Sequence, residues 1–169
     1  GAALVHALRE VSFCVEKGAA VCLAGPRGSG KSTLLRVLSG ALAPTSGRAT
    51  LRGTVSSLLS AGDNLNPSET FVQHVEREAR MLRLDARERE VFEADVQGLA
   101  KLQKFRDLES QRLSSGMQLR LSVALALASR SDILIFDDVF GVGDIAFRQE
   151  CIDALSAYKR RGGTILMCS

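Results

Sequence analysis

The chain has 169 residues, 46% of them hydrophobic and 24% charged, with a formal net charge of +3. That length and balance describe about one domain with a real hydrophobic core and exclude a disordered or fibrous class. The charge is too small, and its basic and acidic residues too evenly interleaved, to argue for nucleic acid as a partner. No apolar run approaches the ~18 to 20 residues needed to cross a bilayer, so a membrane role is expected only through a partner.

In chain order, Val11, Phe13 and Val15 alternate with Ser12, Cys14 and Glu16, the period of a half-exposed strand. Lys17-Gly18 turns the chain into Ala19–Ala24, a continuous apolar run that predicts a strand buried on both faces. A Gly-rich loop follows, and Thr33–Leu42 predicts a helix with Leu34, Leu35, Val37, Leu38 and Leu42 on its apolar side, ended by Pro44-Thr45-Ser46-Gly47. Arg48–Arg52 and Thr54–Leu59 read as short strands on either side of Gly53, and Ser60–Ser68 as a loop. From Glu69 to about Glu109 no strand-like stretch occurs, and charges such as Glu76/Arg80 are spaced for the solvated face of a helix. Leu121–Ala128 and Ile145–Arg161 predict helices, Ile133–Phe136 and Thr164–Met167 strands. The alternation gives an α/β fold with a mostly parallel sheet flanked by helices.

The loop reads Gly25-Pro26-Arg27-Gly28-Ser29-Gly30-Lys31-Ser32-Thr33, between a strand and a helix. Its glycines allow turns that aim successive N–H groups at a polyphosphate, and the helix adds the positive end of its dipole. At this spacing Lys31 is expected to meet the β- and γ-phosphates and the Ser32 hydroxyl to hold Mg²⁺. Asp137 ends the apolar Ile133–Phe136 strand, where a carboxylate can emerge beside the loop and hold Mg²⁺ through its water shell. Upstream, Leu113-Ser114-Ser115-Gly116-Met117-Gln118-Leu119-Arg120 is a hydroxyl-rich turn leading into a helix, read either as a second anion-binding end or as an ordinary Ser cap. The four cysteines, Cys14, Cys22, Cys151 and Cys168, lie far apart with no C-x-x-C and no nearby His pair. They are expected to be buried free thiols of a reducing cytoplasm, with neither metal nor disulfides.

Together these motifs resemble the nucleotide-binding subunits of ATP-binding cassette (ABC) transporters, over nearly the whole chain. Gly25–Ser32 resembles their Walker A loop, Ile133–Asp137 their Walker B strand, and Leu113–Met117 a variant of their signature motif, with Arg120 on a recurrent arginine of the signature helix. Leu-Ser-Ser-Gly-Met followed by a Val142-Gly143-Asp144 turn is similar to the subgroup that exports capsule, O-antigen and teichoic acid, as are Pro44–Gly47 and the Leu58–Pro67 region.

The resemblance implies a single ABC ATPase domain over 1–169, with core segments 1–68 and 111–169 and a helical insertion at about 69–110. With Gly1 in place of a starting Met and a strand-like run at the end, the domain is expected to continue beyond both ends. The resemblance further implies ATP and Mg²⁺ as ligands, and a homodimer in which Ser114, Ser115, Gly116 and Met117 of one subunit close over the ATP of the other. Asp144 would sit across that interface. The implied partner is an integral membrane permease, with the chain peripheral on the cytoplasmic face of the inner membrane.

Departures from the family pattern bear on the chemistry. Asp138 stands where the family has a catalytic Glu after the Walker B Asp, so the water-positioning carboxylate is one methylene shorter, and a misplacement of about 1 Å can cost on the order of 10²-fold in rate. Slow hydrolysis and a regulatory subunit that binds ATP without turning it over both remain open, as does a cassette ATPase acting on ribosomes or DNA. The family's switch His is expected beyond Ser169. Its loop Gln is not identifiable near Ser60-Ala61, and Gln73 lies too far on. No Phe, Tyr or Trp precedes Phe13 to stack on adenine. His6 and His74 match no family role and are expected at the surface. The exported glycan is not legible.

Overall fold

A computed structural model describes residues 6–60, 62, 64–138 and 145–168. The strands are β1 (Ala20–Leu23), β2 (Val55–Leu58), β3 (Ile133–Asp137) and β4 (Thr164–Cys168), and the helices α1 (Lys31–Leu38), α2 (Phe71–Met81), α3 (Ala86–Ala100), α4 (Ser115–Ala128) and α5 (Ile145–Arg160). The strands form one parallel sheet in the order β1-β4-β3-β2. Along β3 the buried side chains alternate between faces. Ile135, with Leu166 of β4, joins Leu35 of α1 on one face, and Leu134 and Phe136 join α4 and α5 on the other. Helices on both faces are what a near-continuous apolar strand requires.

From Leu121 to Ala128 helix α4 is buried all round, as a helical stretch without a polar stripe must be. Leu119, Val123 and Leu127, four apart, face the sheet core, whereas Leu121, Leu125 and Ala128 face a second core made with Phe71, Val75, Phe92 and Val96 of α2 and α3. One helix therefore joins the parallel sheet to the predicted helical insertion. Both insertion helices start with a reciprocal cap, Thr70 with Gln73 and Asp85 with Glu88.

Several expectations change. Residues 11–15 and 48–52 lie in no strand. Alternation can specify which face is buried, but a ladder needs a neighbour; Val11 and Phe13 are 50% and 47% exposed. Among the described residues β1 is the last strand on its side of the sheet, and Ala20 and Cys22 are exposed while the alternate residues Val21 and Leu23 are half-buried. The expectation of burial on both faces came from a run of small apolar residues, which looks the same in edge and central strands. Helix α1 stops at Leu38 rather than Leu42, where Gly40 takes φ 81° and turns the chain away. Arg80 donates to the Glu76 carbonyl at 3.3 Å rather than pairing with its carboxylate. Only Cys151 and Cys168 are buried among the cysteines; Cys14 and Cys22 are exposed. His74 is not a surface histidine but is 0% exposed.

Candidate functional site

Parallel pairing brings three strand ends into one row, with Leu23 opposite Cys168 and Cys168 opposite Asp137. The loop that follows β1 and the carboxylate that ends β3 thus share the C-terminal edge of the sheet, two strand spacings or about 10 Å apart. That edge is where ligands bind in open α/β sheets.

The 25–32 loop passes through left-handed conformations at Gly28 (φ 81°) and Gly30 (φ 92°), which a side chain would strain. Gly30 is also tightly enclosed, since a Cβ there would strike the carbonyl of Ala7. As the N-cap of α1, Gly30 offers no side-chain cap, so the first N–H groups of the helix lack that internal acceptor. The Lys31 ammonium curls back over the loop, donating to the carbonyls of Gly25 at 2.7 Å and Pro26 at 3.1 Å. A cation held by two neutral carbonyls can be transferred to a phosphate oxygen at little cost.

Asp137 is buried, and its Oδ1 accepts from the thiol of Cys168. Burial and the Asp137 carboxylate push the Cys168 thiol up to about 11, against the Asp138 backbone N–H and the Lys31 charge, which act the other way. Asp137 thus accepts from a thiol in the middle of the row that also carries the end of β1. Asp138 takes φ 47°. Asp and Asn occupy this left-handed region several-fold more readily than other side chains, which is a local reason for Asp rather than Glu at this position.

No hydrogen bond joins the 113–117 turn to the 25–32 loop among the described residues. Ser114 caps α4, accepting from the Met117 N–H at 3.3 Å, so the capping reading is correct. It does not displace the anion-binding one: Ser114 and Ser115 are exposed, and a Cβ on Gly116 would meet open space. Gly116 is thus not required by packing within the chain. Arg120 stacks its guanidinium 4.4 Å over the Phe147 ring.

Sequence reasoning missed the polar ring that anchors this turn. Ser110 donates to the Glu69 carbonyl at 2.8 Å through its hydroxyl and at 2.9 Å through its N–H, while Gln118 donates to the Ser110 carbonyl at 2.9 Å. His74 lies between Ser110 and Arg77, and Arg77 donates to the Glu69 carboxylate at 2.9 Å and the Asn64 carbonyl at 3.0 Å. Burial lowers the His74 pKa, with the Arg77 charge assisting and Glu69 opposing. Burial alone would raise Glu69, but its hydrogen bonds from Arg77 and Asn66 and the Arg77 charge hold it below the usual carboxylate range. The signal was present in the sequence, since His74 shares the i, i+3, i+4 stripe of Phe71, Val75 and Ala79 on α2.

Beside this ring lies a groove of about 400 Å³ between β2, residues 64–66, α2 and α4, with Arg77, Glu78 and Met81 on its α2 wall. No helix among the described residues is long and apolar enough to cross a membrane.

A family model described as ABC transporter matches residues 8–141, most of the chain. The chain belongs to the ABC transporter family. It is similar to the O-antigen export system ATP-binding protein RfbB of Klebsiella pneumoniae, 38% identical over 96% of this chain and 66% of that protein. The teichoic acids export ATP-binding protein TagH of Bacillus anthracis is 30% identical over 97% of this chain and 30% of its own length. The chain thus spans two thirds or less of these curated relatives. Among solved structures, the ATP-binding cassette MJ0796, dimeric and bound to ADP and Pi in a post-hydrolysis state, superposes with a TM-score of 0.82 at 23% identity, covering 96% of this chain and 79% of that one.

The ABC fold expected from the sequence is therefore present, with the resemblance to polysaccharide-export cassettes carried by named relatives. Within this ABC chain the end of β1, with the 25–33 loop after it, and Asp137 at the end of β3 share one sheet edge, and no hydrogen bond ties Ser114, Ser115, Gly116 or Met117 to that loop among the described residues. Ala61 of the loop-glutamine region and Val142, Gly143 and Asp144 lie outside the described residues. Gln73, set aside for the glutamine role, instead completes the Thr70 cap.

Proposed function

We propose that this chain is the ATP-binding and ATP-hydrolysing part of an ABC exporter that drives a cell-surface polysaccharide through a partner permease at the cytoplasmic face of the inner membrane. The observation that carries the reading is the row of Leu23, Cys168 and Asp137 at one end of the sheet, which puts the Asp137 carboxylate on the same edge as the glycine-shaped loop that Lys31 folds over. The polysaccharide rests on the relatives, named for O-antigen and teichoic acid export.

In this reading the N–H groups of Gly28, Ser29, Gly30, Lys31, Ser32 and Thr33 cradle the β- and γ-phosphates, Gly25, Pro26 and Arg27 shape the entry, and Lys31 leaves its carbonyls for a phosphate oxygen. The donor set suits Mg²⁺: an exposed Ser32 hydroxyl at the first turn of α1 and the Asp137 carboxylate are hard oxygens. Mg²⁺ commonly takes one or two protein ligands and completes its shell from phosphates and water, and when bound it neutralises charge on those phosphates. Asp138 orients the water that attacks the γ-phosphorus as the bond to ADP breaks. Ser114, Ser115, Gly116 and Met117 contact the ATP of a second copy; the exposure of Ser114 and Ser115 and the open space at Gly116 support a surface used between chains. The groove beside α2 receives the permease.

A second reading, a regulatory subunit that binds ATP without turnover, is favoured by Asp138 alone, whose shorter side chain sits on a left-handed backbone. The deciding measurement is Mg²⁺-dependent ATPase activity of the full-length protein with its permease. Turnover that vanishes in Lys31→Ala supports the motor. Binding without turnover, with turnover appearing in Asp138→Glu, supports the regulatory subunit, and ATP binding and turnover unchanged in Lys31→Ala refute both.

A further inference from the structure

Parallel pairing sets Asp137 opposite Cys168 as it sets Ile135 opposite Leu166, so these four side chains share one face of the sheet. Ile135, Leu166 and Cys168 pack there with Leu35 of α1, the helix whose first turn carries Lys31 and Ser32. Asp137 and Cys168 are 9% and 7% exposed, so each depends on the protein rather than on water for a polar partner. Among the described residues Cys168 is the one side chain that donates to the Asp137 carboxylate, and it does so at Oδ1, while Oδ2 accepts no hydrogen bond. A neutral donor holds a carboxylate in place without cancelling its charge, as a Lys or Arg in the same position would. A thiol serving only as apolar filler beside Leu35 would need neither this bond nor its register with Asp137.

We propose that Cys168 is a positioning residue for Mg²⁺: its thiol holds Asp137 by Oδ1 and keeps Oδ2 available to the metal. The inference rests on the reading above in which Asp137 helps to hold Mg²⁺, and adds the residue that orients it. Mg²⁺ demands near-ideal octahedral geometry, so a carboxylate already set in place serves it better than one free to swing. The thiol is a soft group that Mg²⁺ does not favour, so it supports the hard oxygen without competing for the ion. Outer-shell partners of metal ligands are commonly worth about 10- to 100-fold in metal affinity, and a single weak S–H donor belongs near the lower end of that range.

The test titrates Mg²⁺ into the full-length protein with a fluorescent ATP analogue, beside the affinity for the same analogue in EDTA. Cys168→Val keeps an apolar side chain suited to a strand but has no donor, and is expected to raise the half-saturating Mg²⁺ about five-fold. Its metal-free affinity and melting temperature should stay close to wild type. Cys168→Ala, the second variant should Val crowd the site, is expected to give the same rise. Cys168→Ser retains a donor and should return the Mg²⁺ requirement to within about two-fold of wild type. Asp137→Asn, which weakens the ligand itself, should raise the requirement further. A wild-type Mg²⁺ requirement in folded Cys168→Val or Cys168→Ala overturns the positioning role, as does a Cys168→Ser protein that behaves like Cys168→Val. Loss of metal-free affinity in all three Cys168 variants assigns Cys168 to packing alone and overturns it too. An unchanged requirement in Asp137→Asn overturns the metal-binding reading of Asp137 as well.

Discussion

His74 Nε2 lies 2.6 Å from Ser110 Oγ, inside the molecule, and this bond ties the insertion to the turn before α4. With Arg77 donating to Nδ1, which also lies 3.1 Å from Glu69 Oε2, the imidazole donates to Ser110, and Ser110 donates to the Glu69 carbonyl. Removing the imidazole leaves Arg77 short of an acceptor and opens a void. His74→Ala is expected to cost about 2 to 4 kcal/mol in urea unfolding, and His74→Gln less. Loss of no more than a few tenths of a kcal/mol in His74→Ala would show that the ring is not structural.

The same residue sets a pH dependence. Its folded pKa lies below the ordinary 6.5, so the unfolded chain takes up a proton first as pH falls. The stability it contributes is complete above 6.5 and is lost as pH drops below that value toward the folded pKa. Glu69, also lowered, acts in the same direction but below its ordinary 4.5. Melting temperature should therefore fall between about pH 7 and pH 5.5 in wild type and less steeply in His74→Gln.

At Asp138 the left-handed backbone makes the substitutions informative. Asp138→Asn suits φ 47° equally well and removes the carboxylate, so it should unfold like wild type and lose on the order of 10²-fold or more of any turnover. Asp138→Glu should cost up to about 1 kcal/mol for the backbone while lengthening the carboxylate reach. Steady-state ATPase rates and urea midpoints of the two variants separate chemistry from strain.

Gly30→Ala meets two obstacles at once, a φ of 92° and the Ala7 carbonyl. It should lose more than about 1 kcal/mol of stability and bind ATP at least ten-fold more weakly. Nucleotide titration of the folded variant is the check. Gly28→Ala has the same sign of φ but open space around it, and should be milder.

Thiol labelling tests the packing of the sheet edge. Cys14 and Cys22 are exposed and should react in the native protein, whereas buried Cys151 and Cys168, each pushed up to about 11, should react only on unfolding. Rapid native labelling of Cys168 would contradict its place under Asp137.

The sequence by itself determined the parts whose signals are local. Gly28 and Gly30 mark backbone that only glycine enters freely, the apolar run before Asp137 marks a buried strand, and Ser114 marks a helix start; each depends on a few consecutive residues. Tertiary structure decided what depends on neighbours in space. Among the described residues Val11–Val15 has the alternation of a strand but no ladder beside it, and β1 lies at the edge of the sheet with Ala20 and Cys22 exposed. His74 reads as an isolated polar residue until Ser110, 36 positions later, arrives against its Nε2. Cys168 reads as an apolar filler until parallel pairing sets it between Asp137 and Leu23. Periodicity encodes which face of an element is apolar, but which distant element covers that face is fixed only when the sheet order and the packing of α4 between two cores are set.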